Sequence, residues 1–91
     1  MLKVRYSKQF KKDFKLAQKR GLPLLELKSV LEKLASGEQL EENYKDHPLT
    51  GNYVSFRECH IRPDWLLIYR IDGNNLVLVA QRTGTHSDLF S

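Results

Sequence analysis

The segment WLLIYRIDGNNLVLVAQR, residues 65–82, constrains the fold of this chain more than any other stretch. Two apolar runs, 65–71 and 75–82, flank Asp72-Gly73-Asn74-Asn75. An Asp-Gly or Gly-Asn pair between two β-prone runs signals a tight antiparallel turn. Both runs are apolar on nearly every position, so both faces need cover and the two strands are central. A third run, YVSFRECH at 53–60, reaches the first of them through the short link Ile61-Arg62-Pro63-Asp64. The three strands therefore form an antiparallel meander. Near the start, Leu2, Val4 and Tyr6 alternate with Lys3 and Arg5, which gives a half-buried first strand.

Two helices lie between the first strand and the meander. Ser7 caps the first, over 8–20, where Phe10, Phe14 and Ala17 recur at helical spacing and lysines face water. Gly21 ends it and Pro23 suits the start of the next. Leu24, Leu27, Leu31 and Leu34 line one stripe of the second helix, over 24–36, before Gly37. The short link makes a helical hairpin. The order is β-α-α-β-β-β, an α+β fold of two layers with the hairpin packed on one face of an antiparallel sheet. A single domain spans 1–91, without repeats. The polar connection 38–52 is long for an ordered loop, which points to a use.

Composition removes several function classes. No charge-free run approaches the roughly 20 residues of a membrane span, and MLKVRYSKQF lacks the apolar core of a secretion signal. The lone Cys59 rules out an internal disulfide, in keeping with a reducing cytoplasm. Fifteen Lys and Arg face eleven Asp and Glu, a net charge of +4. Much of the excess lies in the first twenty residues, where Lys8, Lys11, Lys12 and Lys15 oppose only Asp13. Such a face attracts a polyanion or an acidic protein, and it also suits a solvated helix surface.

The polar residues outside the expected core gather at element edges. His60 ends one strand, Asp64 and Trp65 begin the next, and the last strand returns His86 towards them. His47 joins only if its loop folds across the sheet. Histidine, with an unperturbed pKa of about 6.5, gives or takes a proton at neutral pH. Two histidines beside a phosphodiester suit transesterification, one removing the 2′-hydroxyl proton and one protonating the departing 5′-oxygen. Arg57, Arg62 and Arg82 are candidates to hold the phosphate, and Trp65 and Phe90 to stack on bases. Bland readings stand beside these: Asp64 suits a turn, Trp65 a core, and His60 a structural histidine. The histidine spacings match no compact metal signature, so no metal or cofactor is expected.

YKDHPLTGNY, RECHIRPDWLLIYRI and LVAQRTGTHSDLF closely resemble the YafQ branch of the RelE superfamily, toxins of bacterial type II toxin–antitoxin pairs. The resemblance covers essentially the whole chain. It implies a RelE-like fold and a cytoplasmic, ribosome-dependent endoribonuclease that cuts mRNA in the decoding site without a metal. It further implies a cognate antitoxin partner, with DNA contacted only through that antitoxin. Carried over by motif, His47, His60, Asp64 and His86 become the catalytic set. His86 is the general acid, His47 or His60 the base, and Asp64 an orienting carboxylate. Arg82, Trp65, Phe90, Glu58, Arg57, Arg62 and Lys45 form the expected substrate-binding set. Relatives often carry aspartate where Glu58 stands, so the acid here reaches one methylene further. The competing class is a non-enzymatic inhibitor of the same fold that merely occupies the ribosome.

Overall fold

The computed structural model describes residues 1–90. In chain order the elements are β1 (Lys3–Tyr6), α1 (Lys8–Lys19), α2 (Leu24–Ala35), β2 (His47–Pro48), β3 (Arg57–Arg62), β4 (Trp65–Asp72), β5 (Val77–Gly84) and α3 (His86–Phe90). Short 3₁₀ turns occupy Glu42–Tyr44 and Gly51–Tyr53. The strands form one sheet in the order β1-β5-β4-β3-β2.

The meander is antiparallel from β3 to β5. Its hairpin closes at Asp72 opposite Val77, a wider turn than a two-residue loop. Asp72 holds it by accepting from the amides of Asn74 and Asn75 and from the Asn75 side chain. The sheet as a whole is mixed, not antiparallel. β1 lies parallel to β5, with Lys3 opposite Val77 and Tyr6 opposite Ala80. The reason is the free outer edge of β5, whose backbone groups need partners. β1 supplies them, and Ser7 extends the cover: its amide donates to the Ala80 carbonyl at 3.0 Å and its hydroxyl to the Gln81 carbonyl at 2.6 Å. The same hydroxyl accepts from the Phe10 amide and caps α1.

The two faces of the sheet are covered differently. Cys59, Ile61, Trp65, Leu67, Tyr69, Leu78 and Ala80 pack against α1 and α2 through Phe10, Ala17, Leu27, Val30, Leu31 and Leu34. On the opposite face Leu66 and Ile68 are covered by Leu49, Tyr53, Phe56 and Leu89. The connection before β3 and the C-terminal helix α3 thus roof the face that the hairpin leaves bare. At 0% exposure Leu66 and Ile68 are as buried as Leu67, which explains why β4 is apolar on both sides.

A bulge decides which residues of β5 reach this second face. Tyr69 is paired with Ala80, but Ile68 with Arg82, so Gln81 is the extra residue. Beyond it the inside–outside alternation reverses. Without the bulge, Arg82 would follow Ala80 onto the helix side.

Candidate active site

The second face carries the chemistry. Along β3 the period of two puts Glu58 and His60 here and Cys59 and Ile61 on the helix side. The connection folds across the sheet edge as the short strand β2, setting His47 opposite Glu58. Lys45, just before it, takes a left-handed conformation (φ 49°) that turns the chain into β2. Asp64 lies in the β3–β4 turn, and His86 opens α3 after β5.

Each imidazole is tied through Nδ1 to an oxygen that only accepts. For His47 this is the Lys45 carbonyl at 2.9 Å, for His60 the Pro63 carbonyl at 3.2 Å, and for His86 the Asp64 carboxylate at 2.8 Å. The proton of each neutral ring therefore sits on Nδ1, and Nε2 is left to work. Nε2 of His47 and Nε2 of His60 both lie 3.6 Å from Oε1 of Glu58. That is beyond hydrogen-bond length, so the buried carboxylate sits between the two rings without bonding to either. The His60 and His86 rings stand 5.7 Å apart, centre to centre.

Asp64 accepts a second bond, from the His86 amide at 3.0 Å. Its carboxyl is held below the usual range, first by this backbone donor and then by the imidazole. Phe90, half exposed, lies one turn along α3, 6.5 Å from the His86 ring and edge-on to Tyr53 at 6.0 Å. Glu58, His60 and His86 also offer ligand atoms that all lie within 4.8 Å of one another. A metal ion fits this set in kind. Both histidines keep Nε2 free while Nδ1 is fixed by an oxygen, the arrangement metal-binding histidines use.

Comparison with known proteins follows the same lines. The family model for YafQ, bacterial toxin of type II toxin–antitoxin system, matches residues 2–91. The chain belongs to the YafQ toxin family. It is 43% identical to the mRNA interferase toxin YafQ of Escherichia coli strain K12 over 96% of this chain and 94% of that protein. The toxin in the E. coli DinJ–YafQ toxin–antitoxin complex superimposes with a TM-score of 0.88 at 41% identity, covering 100% of both chains. A metal-bound toxin from Helicobacter pylori superimposes with a TM-score of 0.93 at 46% identity, covering 99% of this chain and 100% of the other.

Two expected contacts of the YafQ-family site, Trp65 and Arg57, lie on the other face of the sheet, and a third, Arg62, is engaged in an ion pair at its margin. Trp65 is buried among Cys59, Leu67 and the helices, with 2% exposure, so it cannot stack on a base. It shares the parity of Leu67, on the far side of the sheet from Leu66. Arg57 has the parity of Cys59 and pairs with Asp46 at 3.2 Å, beside the Tyr69 hydroxyl that donates to the same carboxylate at 2.7 Å. Arg62 reaches back to α2 and grips Glu26 with two bonds of 2.6 and 3.0 Å. Lys45 lines, with Asn43, His60, Ile61, Arg62 and Pro63, a hollow of about 340 Å³ at the edge of the site. Lys8, Lys11, Lys12 and Lys15 are all exposed on α1.

Arg82 does face the site side, but with its guanidinium engaged. Nε donates to Asp13 at 2.9 Å and a terminal nitrogen at 3.2 Å. Asp13 also accepts from the Thr83 amide at 3.2 Å, beyond the end of β1. Neither Asp13 nor Tyr53 figures among the residues expected from sequence. Asp13 left one signal, as the only acid in a lysine-rich helix. Tyr53 left none, because the run 53–60 reads as strand whereas Gly51–Tyr53 is a 3₁₀ turn that tucks the ring under Phe90.

Proposed function

We propose that this chain is the toxin of a type II toxin–antitoxin pair, a ribosome-dependent endoribonuclease that cleaves mRNA by acid–base transesterification without a metal. The observation that carries the reading is the gathering of the His47, His60 and His86 rings, each tied through Nδ1 to an oxygen, around Glu58 and Asp64. Likeness to a protein named mRNA interferase toxin supports the substrate.

In this mechanism a histidine base takes the 2′-hydroxyl proton, and the 2′-oxygen attacks phosphorus. The bond to the 5′-oxygen breaks as His86 delivers a proton to it. In-line displacement sets base and acid on opposite sides of phosphorus. His60 stands directly beside His86, whereas His47 lies across Glu58 from it, which favours His47 as the base. His60 then stands where it can help neutralise the phosphorane. Arg82, fixed by Asp13, adds positive potential. Phe90, rigid against Tyr53, offers a face for an unstacked base.

The antitoxin is the expected partner, as DinJ is for YafQ. A groove of about 760 Å³ between β1, α1 and α2 suits an acidic amphipathic segment. Leu2, Val4, Phe10 and Phe14 form its floor, and Lys11, Lys15 and Lys28 its rim.

The deciding experiment maps transcript cleavage by primer extension with and without ribosomes, beside His86→Gln. Cuts that need ribosomes, leave 2′,3′-cyclic phosphate and 5′-hydroxyl ends, and vanish in the variant support the proposal. Intact mRNA on stalled ribosomes overturns it in favour of occupancy without chemistry.

A further inference from the structure

The helix that carries His86 cannot hold itself in place. α3 spans five residues, His86–Phe90, far short of the length at which an isolated helix persists. Its orientation has to come from its anchors. One is Asp64, on the β3–β4 turn. Another is Leu89, buried against Leu66 and Ile68. Leu89 sets depth, but an apolar contact leaves rotation about the helix axis weakly defined.

A third anchor comes from α1. Thr85 and Asp88 cap α3 reciprocally: the Asp88 amide donates to the Thr85 hydroxyl at 3.0 Å, and the Thr85 amide donates to Asp88 Oδ2 at 2.9 Å. The Asp88 carboxylate is in turn gripped by both terminal nitrogens of Arg20, at 2.6 and 3.2 Å. Arg20 is the C-terminal cap residue of α1, a helix packed along β5. The approach is tight. A Cβ on Gly84 would stand 2.9 Å from Asp88 Oδ2, so the residue before Thr85 is one without a side chain. Asp88 is held far below the usual carboxylate range, first by Arg20 and then by the Thr85 amide, so the pair stays charged at any working pH. The polar contacts of the pair run between α1 and the cap of α3 and not to His47, Glu58 or His60, and the acid–base steps have no use for either residue.

We propose that Arg20 and Asp88 are positioning residues for His86, a charged strut from α1 that fixes the rotation of α3 and so aims Nε2 of His86 at the leaving oxygen. The inference rests on His86 being the general acid. Misplacing a catalytic group by about 1 Å can cost on the order of 100-fold. Loss of an exposed strut, with Asp64 and Leu89 still in place, costs less.

The test compares Arg20→Ala and Asp88→Asn with the wild-type chain on ribosome-bound mRNA. Asparagine keeps an acceptor for the Thr85 amide, so this variant removes the ion pair and spares the cap. Each variant is expected to lower kcat about 5- to 20-fold with KM within twofold, because neither side chain meets RNA in this arrangement. Arg20→Lys should recover part of the loss. The double variant should be no slower than the slower single one, since both changes cut the same contact. A change in KM alone would make Arg20 a substrate contact and overturn the proposal. So would wild-type kcat in both variants while His86→Gln is inactive. Amide hydrogen exchange at His86 in the free protein supplies a readout independent of catalysis. It should speed up at least about tenfold in both variants, and unchanged exchange overturns the strut whatever the activity. If exchange quickens but His86→Gln cuts normally, the strut stands and the assignment of His86 as acid falls.

Discussion

His86 gives both of its nearby donors to one oxygen of Asp64, the backbone amide at 3.0 Å and Nδ1 at 2.8 Å. A single carboxylate oxygen therefore sets where the residue sits and which ring nitrogen carries the proton. Both groups are well exposed, so the pair contributes little to global stability. Its use is to aim the ring.

Asp64→Asn is therefore expected to slow cleavage by roughly 10- to 100-fold while leaving the unfolding transition almost unchanged. The amide keeps an acceptor, but the charge-assisted bond to the His86 ring is lost and with it the aim of the ring. Single-turnover cleavage and urea unfolding, measured on one preparation, check both halves.

Asp13 makes the opposite kind of contact. It is 8% exposed and serves both Arg82 and the Thr83 amide. Asp13→Ala leaves a largely buried guanidinium without its partner, at a cost of about 2–3 kcal/mol. Denaturant titration should show the midpoint falling with an unchanged slope. Cleavage should fall as well, measured where the variant is fully folded, because Arg82 loses its fixed position.

Trp65→Phe tests the removal of Trp65 from the substrate-binding set. Among the described residues its indole nitrogen is the buried side-chain polar atom without a hydrogen-bond partner. Phenylalanine therefore gives up volume but no hydrogen bond. Stability should fall by about 1–2 kcal/mol from the space left behind, and cleavage by folded protein should stay within twofold of wild type. A loss of tenfold or more in rate would return Trp65 to the site.

Acid should release the C-terminal helix. The carboxyls of Asp64 and Asp88 are both lowered, by the His86 donors and by Arg20 with Thr85 respectively. For a lowered carboxyl the stabilising contribution is complete above the unfolded pKa of about 3.9 and is lost as pH falls through the folded value. Docking of α3 should hold from pH 7 down to about pH 5 and weaken below about pH 4. The amide resonance of His86, followed by NMR, reports it. Undocking already at pH 6 would mean that these carboxylates are not the anchors.

Zinc or copper(II) should inhibit. Glu58, His60 and His86 are suitable donors within 4.8 Å of one another, and a bound ion would occupy the Nε2 atoms that proton transfer uses. Cleavage should fall with added metal and return with a chelator selective for zinc or copper at constant Mg²⁺, while that chelator alone leaves the rate unchanged. Activation by metal, or lasting loss on chelation, would refute metal-independent chemistry.

Much of the site was open to sequence reading, through local signals. The strand ending in His60, the turn at Asp64 and the return of the last strand place His60, Asp64 and His86 at one edge by topology alone. Period two within β3 likewise separates Glu58 and His60 from Cys59. The same rule separates Arg57 and Trp65 from the site, but the unbroken apolar run of β4 gives no sign of which face is which. The engagement of Arg62 by Glu26 on α2 has no local signal either, because the two residues are 36 positions apart.

The order of the first strand, the two long helices and the three-strand meander, the Ser7 cap, the place of the hairpin turn and the family motifs follow from residues close together in the chain, where propensity and periodicity act. The bulge at Gln81, the parallel docking of β1, the hold of Asp13 on Arg82 and the strut from Arg20 to Asp88 belong to tertiary structure. Asp13 and Arg82 are 69 positions apart, and Arg20 and Asp88 are 68. No local pattern encodes such pairs, because their energies exist only once the sheet has brought α1 against β5. The sequence by itself determined which groups could perform the chemistry; packing decided which of them face the same space and are held still enough to use.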